Sequence, residues 1–246
     1  MQEYLLFGGI TFILSAMFSA GGAGAGIALI PIFHFMGLNF ILAKAIGLFA
    51  GASTTITSSI MNLKRKVVDF TFVIPIAIGM LGFSPIGAYV SIFINQEIVK
   101  FMFMILLFYS ATMMLFGKKE AILKLEQTKF LLFIIGAIVG FISGILGVGG
   151  GNILIPLLII FGFEPKKVAI SVSFVVPFST LGSFFTYLSI VKMDWILLMV
   201  VSFSAIIGGY FGNYMMQFKL KQNHIKKLMG AILYILACKL LLGFII

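Results

Sequence analysis

The sequence predicts an all-α membrane protein made of two inverted-topology repeats, each a re-entrant, broken-helix hairpin followed by three transmembrane helices. The first reason is composition: 61% of the 246 residues are hydrophobic and only 10% are charged, whereas soluble domains have about 25% charged residues. The second is length, because apolar runs of about 20 residues, enough to cross a ~30 Å hydrocarbon core, recur along the chain. The third is an internal duplication.

The duplication has an offset of 125 residues. Residues 19–37 (SAGGAGAGIALIPIFHFMG) align with residues 144–162 (GILGVGGGNILIPLLIIFG), and the same offset pairs Asp69 with Asp194. Apolar composition alone would not align Gly, Pro and Asp. We therefore interpret 1–246 as one membrane domain, with repeat one at 1–120 and repeat two at 126–246. The identical pairs in the aligned segment are Gly22/Gly147, Gly24/Gly149, Gly26/Gly151, Leu29/Leu154, Ile30/Ile155, Pro31/Pro156 and Gly37/Gly162.

Each half predicts the same order of elements. An apolar leg leads into a glycine-rich break, a short apolar leg follows, and three full-length spans complete the half. Three or four glycines within six residues are enough to break a helix. The legs are 4–20 and 26–37, then 129–146 and 152–162, with breaks at 21–26 and 147–151. The spans are about 43–62, 70–94, 98–117, 168–190, 195–217 and 226–246.

The short legs decide the predicted topology, because twelve residues cover only ~18 Å and do not cross a bilayer. If each pair of legs crosses once, the loops divide the basic residues evenly between the two sides. If each pair returns to the side that it entered from, thirteen of the 17 Lys and Arg residues fall on one side and four on the other. Cytoplasmic loops collect positive charge. We therefore expect hairpins, inverted halves and both termini outside the cytoplasm.

The glycine-rich breaks are the predicted functional feature. Backbone amides that lack helical partners must line protein or a watery cavity, and the positive start of each short leg suits an anion that glycine lets approach closely. The alternative is that the glycines only permit close helix packing and that nearby hydroxyls bond to carbonyls one turn earlier. The residues predicted to bind a substrate are Gly22, Gly24, Gly26, Gly147, Gly149, Gly150, Gly151, Asn152, Ser171, Ser173, Ser53 and Thr54.

Other polar residues have simpler interpretations. Asp69 and Asp194 open spans and are expected to cap helices, while His34 is either a packed ring or a proton relay. Cys238 is the only cysteine, which excludes a disulfide within the chain, and we expect it to be buried. The sequence has no HExxH or Gly-x-Ser-x-Gly motif. It therefore predicts no enzyme, no cofactor and no metal site, and the scattered basic residues predict no nucleic-acid partner.

Several of these motifs together resemble the sulfite exporter TauE/SafE family over nearly the whole chain. The resemblance rests on GVGGGNILIP at 147–156, its copy GGAGAGIALIP at 21–31, and the Ala-x-Ser-x-Ser element at 169–173. The turns at 67–70 and 192–195, each with Asp before an aromatic residue, add to it. The resemblance implies a secondary transporter of the cell inner membrane that exports sulfite or an organosulfonate such as sulfoacetate.

The energetics of export agree with this expectation. No Asp or Glu lies in mid-span, so a carboxylate proton relay is not visible. An anion that leaves a negative-inside cell gains ~2.3 kcal/mol per charge per 100 mV. A channel for anions or small solutes, or a permease subunit of a larger complex, remains an alternative, because pores also use opposed half-helices.

Overall fold

The computed structural model describes residues 2–19, 24–64, 66, 68–116, 128–218 and 222–245. Within these ranges the regular structure is entirely helical. The helices are α1 (Gln2–Ser19), α2 (Gly26–Phe35), α3 (Phe40–Lys64), α4 (Phe70–Phe93), α5 (Gln96–Phe116), α6 (Lys129–Leu146), α7 (Gly151–Ile160), α8 (Pro165–Leu188), α9 (Trp195–Phe218) and α10 (Gln222–Ile245).

Seven of the described helices are long and apolar enough to cross a membrane: α3 to α6 and α8 to α10. They include all six predicted spans, which confirms an all-α, multi-pass membrane protein. The additional one is α6, predicted only as the first leg of a hairpin; its 18 residues make it about 27 Å long. Large apolar side chains such as Met199, Phe203 and Ile235 are exposed, as expected for a surface that faces lipid.

The helix boundaries follow the offset of 125 residues. Helices α2 and α7 begin at 26 and 151, and α4 and α9 begin at 70 and 195. The packing also recurs: α1 lies on α9 as α6 lies on α4, and α3 contacts α9 as α8 contacts α4. The offset of 125 residues therefore relates the helices and their packing contacts as well as the amino-acid sequence.

The first leg of each hairpin lies parallel to its neighbour, with glycine at the contact. A Cβ atom added to Gly8 of α1 would stand 3.1 Å from Ser204 Oγ of α9. A Cβ atom added to Gly140 of α6 would stand 2.7 Å from the Cα atom of Met80 in α4. Small residues at such contacts let helix backbones approach closely in membranes.

Helices α1 and α2 form a hairpin that opens at one end of the bundle. The ring of Phe7, early in α1, lies 5.2 Å from the ring of Phe33, late in α2. We call this end, where α3 begins, the Phe40 end, and the opposite end the Lys64 end. The second hairpin, α6 and α7, opens at the Lys64 end, because Phe163 after α7 lies 5.0 Å from Phe72 at the start of α4.

Helices α3 and α8 form the centre of the bundle and run antiparallel. Ser59 Oγ donates a 2.6 Å hydrogen bond to the Ser173 carbonyl near one end. The rings of Phe49 and Phe184 lie 4.6 Å apart towards the other end. Two halves inverted across a membrane would place α3 and α8 antiparallel in this way. The inversion itself stays a prediction.

Two residue-level predictions have clear outcomes. Asp69 accepts a hydrogen bond from the Thr71 amide at 3.1 Å and Asp194 accepts one from the Leu197 amide at 3.0 Å, so both cap helices as predicted. The expectation of a buried Cys238 is wrong, because this side chain is exposed. It lies on the outward face of α10, which apolar composition alone does not distinguish from the inward face.

Candidate functional site

The tip of the first hairpin lies against the middle of α3. Gly24 has a positive φ of 77°, and a Cβ atom there would stand 2.9 Å from Thr55 Cγ2. A Cβ atom on Gly26 would stand 3.0 Å from the Gly47 carbonyl oxygen. Both glycines therefore allow close packing on α3, which is the alternative role considered for them. Gly22 lies outside the described residues.

The tip of the second hairpin contains three glycines in the left-handed region. Gly147, Gly149 and Gly150 have φ values of 77°, 75° and 73°, a conformation that side chains disfavour. Gly149 lies against Thr180 and Val176, in the middle of α8. Since α3 and α8 are antiparallel neighbours, both hairpin tips lie near mid-depth of the bundle.

A short helix starts at each tip without a side-chain cap. The cap positions are Ala25 for α2 and Gly150 for α7, and neither supplies a side-chain hydrogen bond. The first residues, Gly26 and Gly151, are buried. Because the first amides of a helix have no intrahelical acceptor and carry the positive end of its dipole, each tip is a buried, electropositive spot. The two helices run away from mid-depth towards opposite ends.

Two predicted site residues carry buried polar atoms without a partner. Asn152, the second residue of α7, is 4% exposed, and neither its side-chain oxygen nor its nitrogen has a hydrogen bond. Ser171 of α8 is 1% exposed and its hydroxyl is also unpaired. Since roughly 90% or more of buried polar groups are hydrogen-bonded in proteins, these atoms indicate a place for a polar ligand or water. Helices α7 and α8 pack together.

The hydroxyls of the other predicted site residues are already engaged. Ser53 Oγ donates to the Phe49 carbonyl and Thr54 Oγ1 to the Ala50 carbonyl, each at 2.9 Å. Ser173 Oγ accepts from Asn62 Nδ2 at 2.9 Å. Back-bonding and helix contacts, the alternative considered from the sequence, describe these three residues in this structure. Further along α8, the Ser179 hydroxyl is buried and unpaired like that of Ser171.

The sequence allows two roles for His34 and places Lys44 only among the 17 basic residues that orient the chain. The His34 ring is packed: Nδ1 lies 3.0 Å from the Leu38 carbonyl. Lys44 is fully buried, although its position at the start of an apolar run suggested a loop-side charge. Its Nζ donates to Ser91 Oγ at 2.9 Å and to Gln96 Oε1 at 3.3 Å. A buried cation in a membrane helix is a functional candidate by default.

Ionic and polar contacts join the two halves at each end of the bundle. At the Lys64 end, Lys167 Nζ lies 2.8 Å from an oxygen of Asp69. The hydrogen bond from Lys167 is the main cause that lowers the pKa of Asp69 below its usual value. At the Phe40 end, the hydroxyl of Tyr4 donates to Asp194 at 3.1 Å. Each aspartate thus combines a helix cap with a contact to the other half.

Comparisons with known proteins match the chain to membrane transporters, in agreement with its multi-pass helical fold. The family model described as Sulfite exporter TauE/SafE matches residues 7–240. A probable membrane transporter protein of Methanocaldococcus jannaschii is 33% identical over 191 residues, which cover 73% of this chain and 70% of the relative. The probable membrane transporter protein YunE of Bacillus subtilis is 26% identical, with coverage of 89% and 90%. No solved structure matches the chain.

Proposed function

Because the chain belongs to the sulfite exporter TauE/SafE family and is a membrane transporter of that family, we propose that it exports a small oxyanion, sulfite or an organosulfonate such as sulfoacetate. The observation that carries this proposal is the pair of buried, uncapped helix starts near mid-depth. Such a pair attracts a negative charge without needing a lysine or arginine beside it.

The second hairpin tip supplies the richer set of donors for an oxyanion. The side-chain amide of Asn152, the second residue of α7, and the hydroxyl of Ser171 lack hydrogen-bond partners, whereas the Gly151 amide donates to the Gly149 carbonyl at 3.0 Å. A sulfite or sulfonate group has three oxygens that accept hydrogen bonds. Each helix start contributes about 0.3–1 kcal/mol in water and up to ~2 kcal/mol where partly buried. Binding of this strength leaves the anion free to dissociate after transport.

Alternating access follows from hairpins that open at opposite ends. Secondary transporters with inverted repeats bind their substrate between the repeats, at broken helices. The recurring contacts, α1 with α9 and α6 with α4, support a mechanism in which each first leg moves with the helix that it packs on. Loosening one pair would open the site to one side while the other pair keeps it closed.

The distribution of basic residues supports an orientation in the cell's inner membrane. Thirteen of the 17 Lys and Arg residues lie in the segments after α3, α5, α7 and α9 and in the helix ends that flank them. All these segments connect helices at the Lys64 end. By the positive-inside rule this end faces the cytoplasm, both termini lie outside, and the membrane potential drives an anion outward by ~2.3 kcal/mol per charge per 100 mV.

A ligand screen tests the substrate class. The full chain, purified in detergent, is heated with sulfite, sulfoacetate, thiosulfate, taurine or acetate, and its unfolding temperature is recorded. We expect sulfite or sulfoacetate to raise that temperature, because a ligand that binds only the folded state stabilises it. If none of these compounds changes the unfolding temperature, the proposed substrate class is wrong.

Flux measurements distinguish a carrier from a channel. Proteoliposomes are loaded with the stabilising anion, and efflux is followed at a potential set with potassium and valinomycin. We expect a flux that saturates, shows counterflow and falls when the potential is collapsed. Ohmic single-channel currents would instead identify a pore, and efflux that ignores both the voltage and the anion gradient would contradict transport of an anion.

A further inference from the structure

Lys44 combines full burial with a lack of charge compensation. Its side chain is 0% exposed, in the second turn of the spanning helix α3. Among the residues that the structure describes, no carboxylate lies within 4 Å of its ammonium group, whereas Lys100 and Lys167 each have one. An uncompensated charge away from water is costly. An anion beside Lys44 would reduce this cost by supplying the missing opposite charge.

The contacts that hold the Lys44 ammonium group are neutral and replaceable. It donates to Ser91 Oγ at 2.9 Å and to Gln96 Oε1 at 3.3 Å, and it lies 4.7 Å from the centre of the Tyr187 ring. Hydrogen bonds between charged partners are roughly twice as strong as neutral ones. An oxyanion beside this group would therefore replace the long contact to Gln96 with a stronger one. We call these four residues the Lys44 cluster.

The Lys44 cluster adjoins the second hairpin tip. A Cβ atom added to Gly147 would stand 2.8 Å from both Cγ and Cδ of Lys44, so glycine is needed there for the lysine side chain to pass. Tyr187, in turn, donates to the Gly144 carbonyl at 3.0 Å, in the last turn of α6. The ammonium group thus lies between the tip and the Phe40 end, towards which the start of α7 faces.

The second half of the chain has no lysine at the position that matches Lys44. With the offset of 125, the position equivalent to Lys44 is Ala169, and the position equivalent to Ser91 is Met216. Helix α8 therefore forms in the same place of its repeat with alanine. This buried cation is therefore present in one repeat only, near the Phe40 end of the bundle.

We infer that Lys44 is an anion-binding residue of the transport path, which receives the oxyanion between the second hairpin tip and the Phe40 end. The inference rests on the proposed function and deepens it, because it adds a specific contact for the negatively charged group. An anion would bind first at the start of α7 and then at Lys44, and would thus move between two electropositive sites. The competing explanation is that Lys44 only stabilises the negative end of helix α6.

Reconstituted full-length variants test the inference. Lys44→Met, Lys44→Arg and the control Lys100→Met are compared with the wild type by the anion concentration that gives half-maximal efflux. Lys100 is a matched control because it also lies over the Phe40 ring, at 5.8 Å against 5.3 Å for Lys44, but has Glu97 as a partner. We expect about a 10- to 100-fold higher half-saturating concentration for Lys44→Met, from the loss of one charged hydrogen bond. The half-saturating concentration of Lys44→Arg should lie close to the wild-type value, and that of Lys100→Met should equal it.

The outcomes separate this inference from the proposed function. Saturable efflux that is equal in the wild type and Lys44→Met would overturn the role of Lys44 alone. A loss of thermal stability in both Lys44 variants without a change in half-saturation would assign it a structural role. If the wild type moves none of the anions, the proposed function fails and this inference with it.

A second variant decides the question if Lys44→Met does not fold. Ser91→Ala removes a neutral acceptor from the ammonium group and leaves its charge in place. We expect the half-saturating anion concentration to fall, because the anion then competes with one fewer partner. A rise would overturn the inference.

Discussion

Asn152 is the residue whose surroundings indicate a ligand most directly. Its side-chain amide is buried at the uncapped start of α7, and both of its polar atoms lack a hydrogen bond. A buried polar group without a partner costs about 1–3 kcal/mol. A substrate with oxygens that accept from the amide nitrogen would remove part of this cost, so the same feature lowers the stability of the empty protein and raises its affinity for an oxyanion.

Asn152→Leu tests this dual effect. Leucine has a similar shape and no polar atoms, so we expect the unfolding temperature without substrate to stay equal or to rise, while the stabilisation by sulfite or sulfoacetate is lost. The matched control is Asn62→Leu, because the Asn62 amide donates to Ser173 at 2.9 Å. That variant should lose about 1 kcal/mol of stability. Unchanged anion stabilisation in Asn152→Leu would show that its amide does not contact the substrate.

Asp69 allows the cap of α4 to be separated from the ion pair with Lys167. Asp69→Asn keeps a capping side chain and loses a partly exposed ion pair, so we expect a loss of about 0–1 kcal/mol. Asp69→Ala loses both, with an additional cost of about 0.5–2 kcal/mol. Thermal unfolding of the two variants measures the difference, and equal unfolding temperatures would contradict the cap.

The pH dependence of the Asp69 contribution follows from the direction of its shift. The pKa of Asp69 is lowered in the folded protein, mainly by its hydrogen bond with Lys167. The contribution to stability is therefore fully present above the unfolded pKa of about 4 and is lost as the pH falls through the folded pKa. Between pH 5 and 8 the stability difference between the wild type and Asp69→Asn should stay constant, as unfolding at several pH values would show.

At the scale of the elements, glycines determine how closely the hairpin legs approach their neighbours. A Cβ atom on Gly79 of α4 would stand 2.7 Å from the Ala137 amide nitrogen of α6, whereas one on Gly82 would meet no atom within 4 Å. The two positions are one turn apart on one helix. The contact between α4 and α6 therefore depends on one face of α4 only.

Alanine substitutions at these two glycines measure that contact. We expect Gly79→Ala to destabilise the protein by about 1–3 kcal/mol, as overpacked cores do. Gly82→Ala should be neutral, or stabilising by up to ~1 kcal/mol through helix propensity. Thermal unfolding in detergent compares them. A Gly79→Ala variant as stable as Gly82→Ala would show that α6 does not lie on α4 as described.

The helices are easier to predict from the sequence than the contacts that each helix makes. Apolar length and the glycine breaks predict the six spans and the two short helices, and an aspartate before a span predicts a helix cap. These features depend on local chemistry. The sequence did not show that the Ser53 and Thr54 hydroxyls bond within α3, nor that Lys44 is buried under the turn between α4 and α5. Both contacts depend on which side of a helix packs against another helix. Because these helices are apolar on nearly all sides, the sequence does not show which side that is.

At the scale of the whole molecule, the account requires the Phe40 and Lys64 ends to lie on opposite sides of the membrane. The native Cys238 is first replaced by serine, since it is exposed. Single cysteines then replace Asn39 and Lys192 at the Phe40 end, and Lys66 and Thr128 at the Lys64 end. We expect an impermeant maleimide to label the first two from outside intact cells and the other two only after permeabilisation. Labelling of Asn39 and Lys66 variants from one side would refute the hairpin topology.

The central claim is that an oxyanion binds at mid-depth, at the uncapped starts of α2 and α7. The most direct measurement is an anomalous difference map at the selenium edge, from crystals of the full chain grown with selenite, the selenium counterpart of sulfite. The account predicts a peak about 4 Å from the side-chain amide nitrogen of Asn152, the distance of a hydrogen-bonded oxyanion. A map with selenium only among lysines at the two ends, and none at mid-depth, would contradict it.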